Sequence, residues 1–92
     1  MDELIERMKV ICKHEDLTRE ELAAKTEMTY TRWHNLMNNR GVIKPEEIVK
    51  TGNAFPEYKH WIVFGEEIPE VGQISPMTKE ARKSLGTQGK AG

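Results

Sequence analysis

Between Leu17 and Leu36 the chain reads LTREELAAKTEMTYTRWHNL, and these twenty positions hold two helix starts with almost nothing between them. Thr18-Arg19-Glu20-Glu21 is a capping box: a threonine hydroxyl accepts from the third helical amide and a glutamate reaches back to the cap. Leu17 before the box and Leu22 within the helix form its hydrophobic staple. That helix is expected to end near Lys25, and Thr29 caps a second one running to about Asn38. Two helices joined so tightly meet at a steep angle and need a small residue where they touch, which Ala23 supplies. In the second helix Trp33 and Leu36 share the inward face, leaving Tyr30, Thr31, Arg32, His34 and Asn35 outward.

The flanking segments are also helical. Leu4, Ile5, Met8, Ile11 and Cys12 mark one face of a helix over roughly 2–14. Asp2 is its expected cap, and His14-Glu15-Asp16 breaks the pattern. Asn38-Asn39-Arg40-Gly41 is a stop, with Asn39 or Gly41 suited to the left-handed conformation. Pro45 at a first helical position, followed by Glu46 and Glu47, starts a fourth helix with Ile48 and Val49 inward, weakening at Thr51-Gly52-Asn53. Pro56 is expected to start a fifth, holding Tyr58, Trp61, Ile62 and Phe64 and stopped by Gly65. Beyond it, Pro69, Gly72 and Pro76 interrupt an irregular arm. Wrapping of this arm over the fifth helix through Ile68, Val71 and Ile74 is favoured over strand pairing with a second copy, because Gly72 and Pro76 break a strand. Met77 to Leu85 reads as a short helix capped by Thr78, with Ala81 and Leu85 on one face. Residues 86–92 carry little apolar content and read as a disordered tail.

Helices this short need a shared core. The expected core is Leu4, Met8, Ile11, Leu22, Ala23, Trp33, Leu36, Ile48, Trp61 and Ile62. The organisation is therefore all-α: a five-helix domain over 1–65, an arm over 66–85 and a tail over 86–92. A chain of 92 residues, 37% hydrophobic, supports one core of this kind. No apolar run approaches bilayer length, and the acidic start MDELIERMKV lacks the features of a secretory signal. A single cysteine excludes an internal disulfide and suits a reducing cytoplasm.

Charge is near balance at −1 overall but unevenly spread. Residues 1–27 carry five Lys/Arg and eight Asp/Glu, 28–65 carry five and three, and 66–92 four of each. The positive excess falls on the second helix of the pair and on the residues after it. A polyanion needs such a local basic surface rather than a basic protein.

Enzyme chemistry finds no footing. His14, His34 and His60 lack the spacing of a metal site, and Cys12 has no cysteine partner. Cys12 falls on an inward helical face, where a thiol is inert. Thr51-Gly52-Asn53-Ala54 is a helix end, not a phosphate loop. No cofactor, metal or small-molecule ligand is expected, and no membrane.

The pattern Leu17-Thr18-x-Glu20-Glu21-Leu22-Ala23-x-Lys25, then Met28-Thr29 and a helix with Trp33 and Leu36 inward, resembles the lambda-repressor-like helix-turn-helix family of phage repressors, Cro proteins and small bacterial regulators. Tyr58-x-x-Trp61-Ile62-x-x-Gly65 is similar to that family's fifth helix, so the resemblance covers about residues 2–65. It implies a five-helix DNA-binding fold with a recognition helix over about 29–38 in the major groove. By position it implies base reading by Tyr30, Thr31, Arg32 and Asn35. Contacts to the DNA backbone are implied for Arg19, Thr29, His34, Asn38, Arg40 and Lys44. The chemistry agrees for arginine, which reads guanine bidentately, and for asparagine, which reads adenine; Thr31 suits a thymine methyl. Two departures fall in the turn, where Thr26 replaces a larger apolar residue and Glu27 a glycine.

The implied function is sequence-specific binding of double-stranded DNA by a transcriptional repressor of phage or mobile-element type. The site would be a palindromic operator with half-sites about 34 Å apart, bound by a homodimer formed through the fifth helix and the arm. The compartment would be the bacterial or phage-infected cytoplasm, at the nucleoid. The near-neutral charge, with Glu20, Glu27 and Tyr30, supports a second reading: a helix-turn-helix scaffold serving as a protein-binding adaptor or antitoxin-like regulator.

Overall fold

In the computed structural model the backbone is described for residues 2–91 and side chains for 3–85. The protein is all-α. Its helices are α1 (Asp2–Glu15), α2 (Arg19–Thr26), α3 (Tyr30–Met37), α4 (Pro45–Ala54), α5 (Lys59–Phe64) and α6 (Pro76–Ala91), with one 3-10 turn at Pro69–Val71. Three expectations at the ends differ. Asp2 is the first residue of α1 rather than a residue before it. The last helix, α6, opens at Pro76 with the Ser75 hydroxyl accepting from the Thr78 amide (3.2 Å), so Thr78 is not its cap. It runs on to Ala91 through most of the expected 86–92 tail, whose side chains lie outside the described residues. Among the described residues none forms a strand. A single antiparallel bridge, Ile68 to Gln73, closes the arm around its turn.

The first three helices end alike. Each places a non-glycine residue in the left-handed region: Asp16 (φ 56°), Glu27 (φ 56°) and Asn39 (φ 59°). After each, the next amide reaches back five residues: Leu17 N–H to the Cys12 carbonyl (2.9 Å), Met28 to Ala23 (3.0 Å) and Arg40 to Asn35 (2.7 Å). This is the Schellman closure, which satisfies carbonyls that the helix end leaves open. Asparagine and aspartate tolerate the conformation best among non-glycine residues. Glu27 has no such adaptation.

The core sits where α1, α2, α3 and α5 converge. Met8, Ile11, Leu22, Trp33 and Ile62 are fully buried, with Leu4 and Leu36 at 1% exposure. Removing one large aromatic such as Trp33 from water contributes on the order of 4–6 kcal/mol before chain entropy is counted. Ala23 is buried where α2 meets α3. Ile5, Met37, Ile43, Phe55, Tyr58 and Ile74 join this core beyond those expected.

Several expectations are corrected. Val49 is 60% exposed rather than inward, and Ile48 is only partly buried. Rather than weakening at Thr51-Gly52-Asn53, α4 continues to Ala54. Thr51 is buried with its hydroxyl donating to the Glu47 carbonyl (2.7 Å), and Gly52 admits Lys59 so closely that an added Cβ would stand 3.3 Å from the lysine Cβ. Pro56 does not open α5. Residues 55–58 form a turn closed by the Tyr58 amide on the Phe55 carbonyl (2.9 Å), and the first α5 bond runs from Ile62 to Tyr58 (2.8 Å). Phe64, placed within that helix, faces solvent at 64% exposure. In the arm Ile74 is buried and Ile68 half-buried, whereas Val71 is exposed, so wrapping rests on the two isoleucines.

The C-terminal end of α5 is held from α1. Arg7 donates through Nε to the Ile62 carbonyl (2.8 Å) and through Nη2 to that of Val63 (3.2 Å), covering Gly65, where a Cβ would lie 3.0 Å from the guanidinium. Gly65 is left-handed (φ 71°), so both space and backbone call for glycine there.

The helix α6 docks on α1 largely through polar groups. Tyr58 Oη donates to Glu15 (2.5 Å), and Lys79 Nζ lies 3.3 Å from Glu15, 3.4 Å from Glu57 and 5.6 Å from the centre of the Tyr58 ring. The hydrogen bond from Tyr58 holds the Glu15 carboxyl below its ordinary value, while burial, reinforced by Glu15, pushes the Tyr58 phenol upward. His14 Nδ1 stands 2.9 Å from Glu80. Pro76 is buried, but Met77, Ala81 and Leu85, spaced four apart on one helical face, are all exposed.

Candidate nucleic-acid interface

The outward face of α3 is built from behind. The Thr18 hydroxyl accepts from the Glu21 amide (3.1 Å) and Glu21 accepts from the Thr18 amide (2.8 Å), completing the capping box and fixing where α2 begins. These bonds hold the Glu21 carboxyl below its ordinary value. At the other end of α2, Thr26 is 1% exposed. Its hydroxyl donates to the Leu22 carbonyl (2.7 Å) and accepts from Trp33 Nε1 (2.8 Å). A larger apolar residue here would leave the buried indole N–H without an acceptor. Thr26, at a position where the sequence suggests a weaker core contact, is thus matched to the tryptophan seven residues on. Thr29 then caps α3, accepting from the Arg32 amide (3.0 Å).

Trp33, Leu36 and Met37 anchor α3, and the ten residues singled out from the sequence divide into groups around its exposed face. Thr31 is exposed at the centre, with Asn35 half-buried one turn on. Neither side chain holds a hydrogen bond to another described residue. On one side Tyr30, 44% exposed, stacks on His34 at 5.9 Å with an 18° tilt. Arg19 Nη1 lies 2.9 Å from His34 Nδ1, and Asn38 Nδ2 donates to the His34 carbonyl (2.7 Å). Arginine only donates, so Nδ1 is the acceptor in this contact. Arg19, Tyr30, His34 and Asn38 therefore form one linked patch across the start of α2 and the length of α3.

On the other side the expectation for Arg32 meets a different geometry. Its Nε donates to Glu47 Oε2 (2.7 Å), and its Nη2 to Glu47 Oε1 (2.9 Å) and the Val42 carbonyl (2.7 Å). Glu47 also accepts from the Lys44 amide (2.8 Å). The Arg32 hydrogen bond is the main cause that holds the Glu47 carboxyl below its ordinary value and raises Arg32 further. Gly41 (φ 94°) passes close by; a Cβ there would stand 3.2 Å from Arg32 Nη1. The side chain aligned with base reading thus ties α3 to the 38–44 loop and to the first turn of α4. Glu47 is legible as a helix-start acid but not as this partner, which lies fifteen residues from Arg32.

Arg40 and Lys44 are exposed on that loop, and neither forms an ion pair with another described residue. Lys25 and Lys50 are also exposed near the turn, where Lys50 Nζ reaches the Glu27 carbonyl (3.3 Å). Glu20, in α2, and Glu27, at the turn, are exposed as well.

Among the described residues no group of three or more His, Cys, Asp or Glu is arranged to hold a metal, and no helix is long and apolar enough to cross a membrane. Burial raises the Cys12 thiol above its ordinary value, with nearby Arg19 opposing. An open groove of about 410 Å³ runs between α4 and α5, lined by Ile48, Val49, Val63 and Phe64 with Lys59 and His60. Comparison of the chain with protein-family models, curated proteins and solved structures found no match.

Proposed function

We propose that this chain is a sequence-specific double-stranded DNA-binding protein of the lambda-repressor-like helix-turn-helix type, acting as a transcriptional repressor. The observation that carries this reading is the α2–α3 unit: a boxed α2, a Schellman turn, and a short α3 pinned by Trp33, Leu36 and Met37 so that Thr31 and Asn35 face outward. A helix so backed presents its first turns to base edges when it lies in the major groove. Arg40 and Lys44 flank it as phosphate contacts, joined by the Arg19–His34–Asn38 patch.

One such helix reads few base pairs, so the bound form is a homodimer on a palindrome. The apolar groove with exposed Val49 and Phe64, continuous with α5, is the surface that supports pairing. The protein works without cofactor or catalysis, in the cytoplasm at the nucleoid. Electrophoretic mobility shift over a salt series tests the reading. Affinity should fall steeply and linearly in log–log form as salt displaces phosphate contacts. No binding to any duplex at low salt refutes it.

A second reading, a scaffold for a protein partner, is favoured by one observation: Glu47 neutralises Arg32, while Glu20 and Glu27 stay exposed on α2 and the turn beside α3. Under that reading binding to duplex stays absent while a protein ligand shields Tyr30 and Thr31.

A further inference from the structure

Reading guanine takes two donors on one edge of an arginine, aimed together at O6 and N7. Arg32 does not have such an edge available. Its Nε and Nη2 face both Glu47 oxygens, and Nη2 makes a second bond to the Val42 carbonyl. Only Nη1 remains, packed against Gly41. Releasing the guanidinium would leave Glu47, half-buried, without its main partner, and would free the loop that carries Arg40 and Lys44. Such a bidentate, charge-assisted pair is among the stronger contacts a protein surface makes. Outward on α3 remain Tyr30, Thr31 and Asn35. The amide of Asn35 can accept and donate to adenine N6 and N7, and the methyl of Thr31 and ring of Tyr30 suit the thymine methyl. None of these three carries the pair of parallel donors that guanine takes.

We infer that Arg32 is a positioning residue rather than a base reader, and that α3 reads A·T pairs. The Arg32–Glu47–Val42 clamp sets the angle between α3 and the phosphate-contacting loop. Sequence is read by Asn35, Thr31 and Tyr30. This rests on the DNA-binding reading above and specifies what that site recognises.

The test is selection of bound sites from a random duplex pool at low salt, using the full chain as wild type, Arg32→Ala, Arg32→Lys and Glu47→Gln. All are measured well below their melting temperatures, where each is fully folded. The wild type should enrich A·T pairs at the centre of each half-site. Arg32→Ala should lower affinity by a similar factor for every duplex, with the preference at each position changed by less than about twofold. Glu47→Gln should reproduce that uniform loss, and combining it with Arg32→Ala should add little. Loss of a guanine preference at a single position by roughly 5- to 150-fold on Arg32→Ala would overturn the inference while leaving DNA binding standing. Absence of any duplex binding by the wild type overturns the DNA-binding reading and this inference with it. Should Arg32→Ala fail to fold, Arg32→Lys and Glu47→Gln carry the same comparison, since neither preserves the full three-bond clamp.

Discussion

Replacing Thr26 by valine tests how the turn between α2 and α3 is held. Valine keeps the shape and β-branching of threonine but substitutes a methyl group for the hydroxyl. At 1% exposure no water replaces the lost acceptor, so Trp33 Nε1–H, 2.8 Å from that oxygen in the native fold, is left buried and unbonded. An unsatisfied buried donor costs about 1–3 kcal/mol. The added methyl returns part of this, about 0.8 kcal/mol if it packs fully. The net expectation is destabilisation of about 1–2 kcal/mol, or roughly 4–16 °C in melting temperature for a domain of this size. Urea unfolding followed by circular dichroism measures it. Thr26→Ser is the converse control: it loses the methyl and keeps the hydroxyl that accepts from Trp33. The decisive comparison is a double-mutant cycle with Trp33→Phe, which has no N–H to satisfy. In that background Thr26→Val should be neutral or stabilising, giving a coupling of at least about 1 kcal/mol. A valine variant as stable as wild type, or a coupling near zero, would show that this hydrogen bond does not hold the turn.

Other expectations come from the same geometry. Glu27→Gly should stabilise the fold by about 0.5–1 kcal/mol by relieving a left-handed glutamate, whereas Glu27→Ala, which keeps the strained backbone, should not; thermal melts of the two separate backbone strain from charge. Glu47 is held below its ordinary value in the folded state, so the unfolded chain binds more protons as pH falls. Its contribution is present above the ordinary carboxylate range and is lost as pH drops through the folded value; Glu47→Gln should flatten the acid limb of a stability–pH curve. Tyr58→Phe should cost about 1 kcal/mol and loosen α6, seen as faster amide exchange along that helix than in α3. Phe64→Asp should leave the unfolding free energy within about 1 kcal/mol of wild type, since the ring is mostly exposed, yet shift sedimentation toward monomer and weaken binding to palindromic DNA.

The local signals of the sequence carry far. Thr18 with Glu21, Thr29, Pro45 and the Trp33/Leu36 register mark helix starts and an inward face through chemistry confined to a few neighbouring residues, and each is found where those signals put it. What escapes them is tertiary. Val49 comes after Ile48 in an apolar pair, and only the placement of α5 decides which of the two turns inward. Tyr58 looks like part of a helix because it lies in an aromatic run; the partner of its hydroxyl is Glu15, forty-three positions earlier. Thr26 looks like a weakened core position, since its value lies in an indole that periodicity treats as purely apolar. Arg32 is the sharpest case within the proposed interface. Outward register says a side chain leaves the core, but not that a carboxylate from the next helix is waiting for it.

The docking of α6 has a consequence for how binding would be measured. Ion pairs from Lys79 to Glu15 and Glu57, with His14 beside Glu80, hold this helix, and its apolar residues Met77, Ala81 and Leu85 are exposed. Ion pairs at this exposure weaken as ionic strength rises, over the same range in which counterions compete for DNA phosphates. Salt thus acts on this chain twice, once on any polyanion it holds and once on its own last helix. Affinity over a salt series should stay linear in log–log form while amide exchange along α6 quickens over the same range, and in the Lys79→Met variant, with that pairing already removed, the exchange should be quick at every salt.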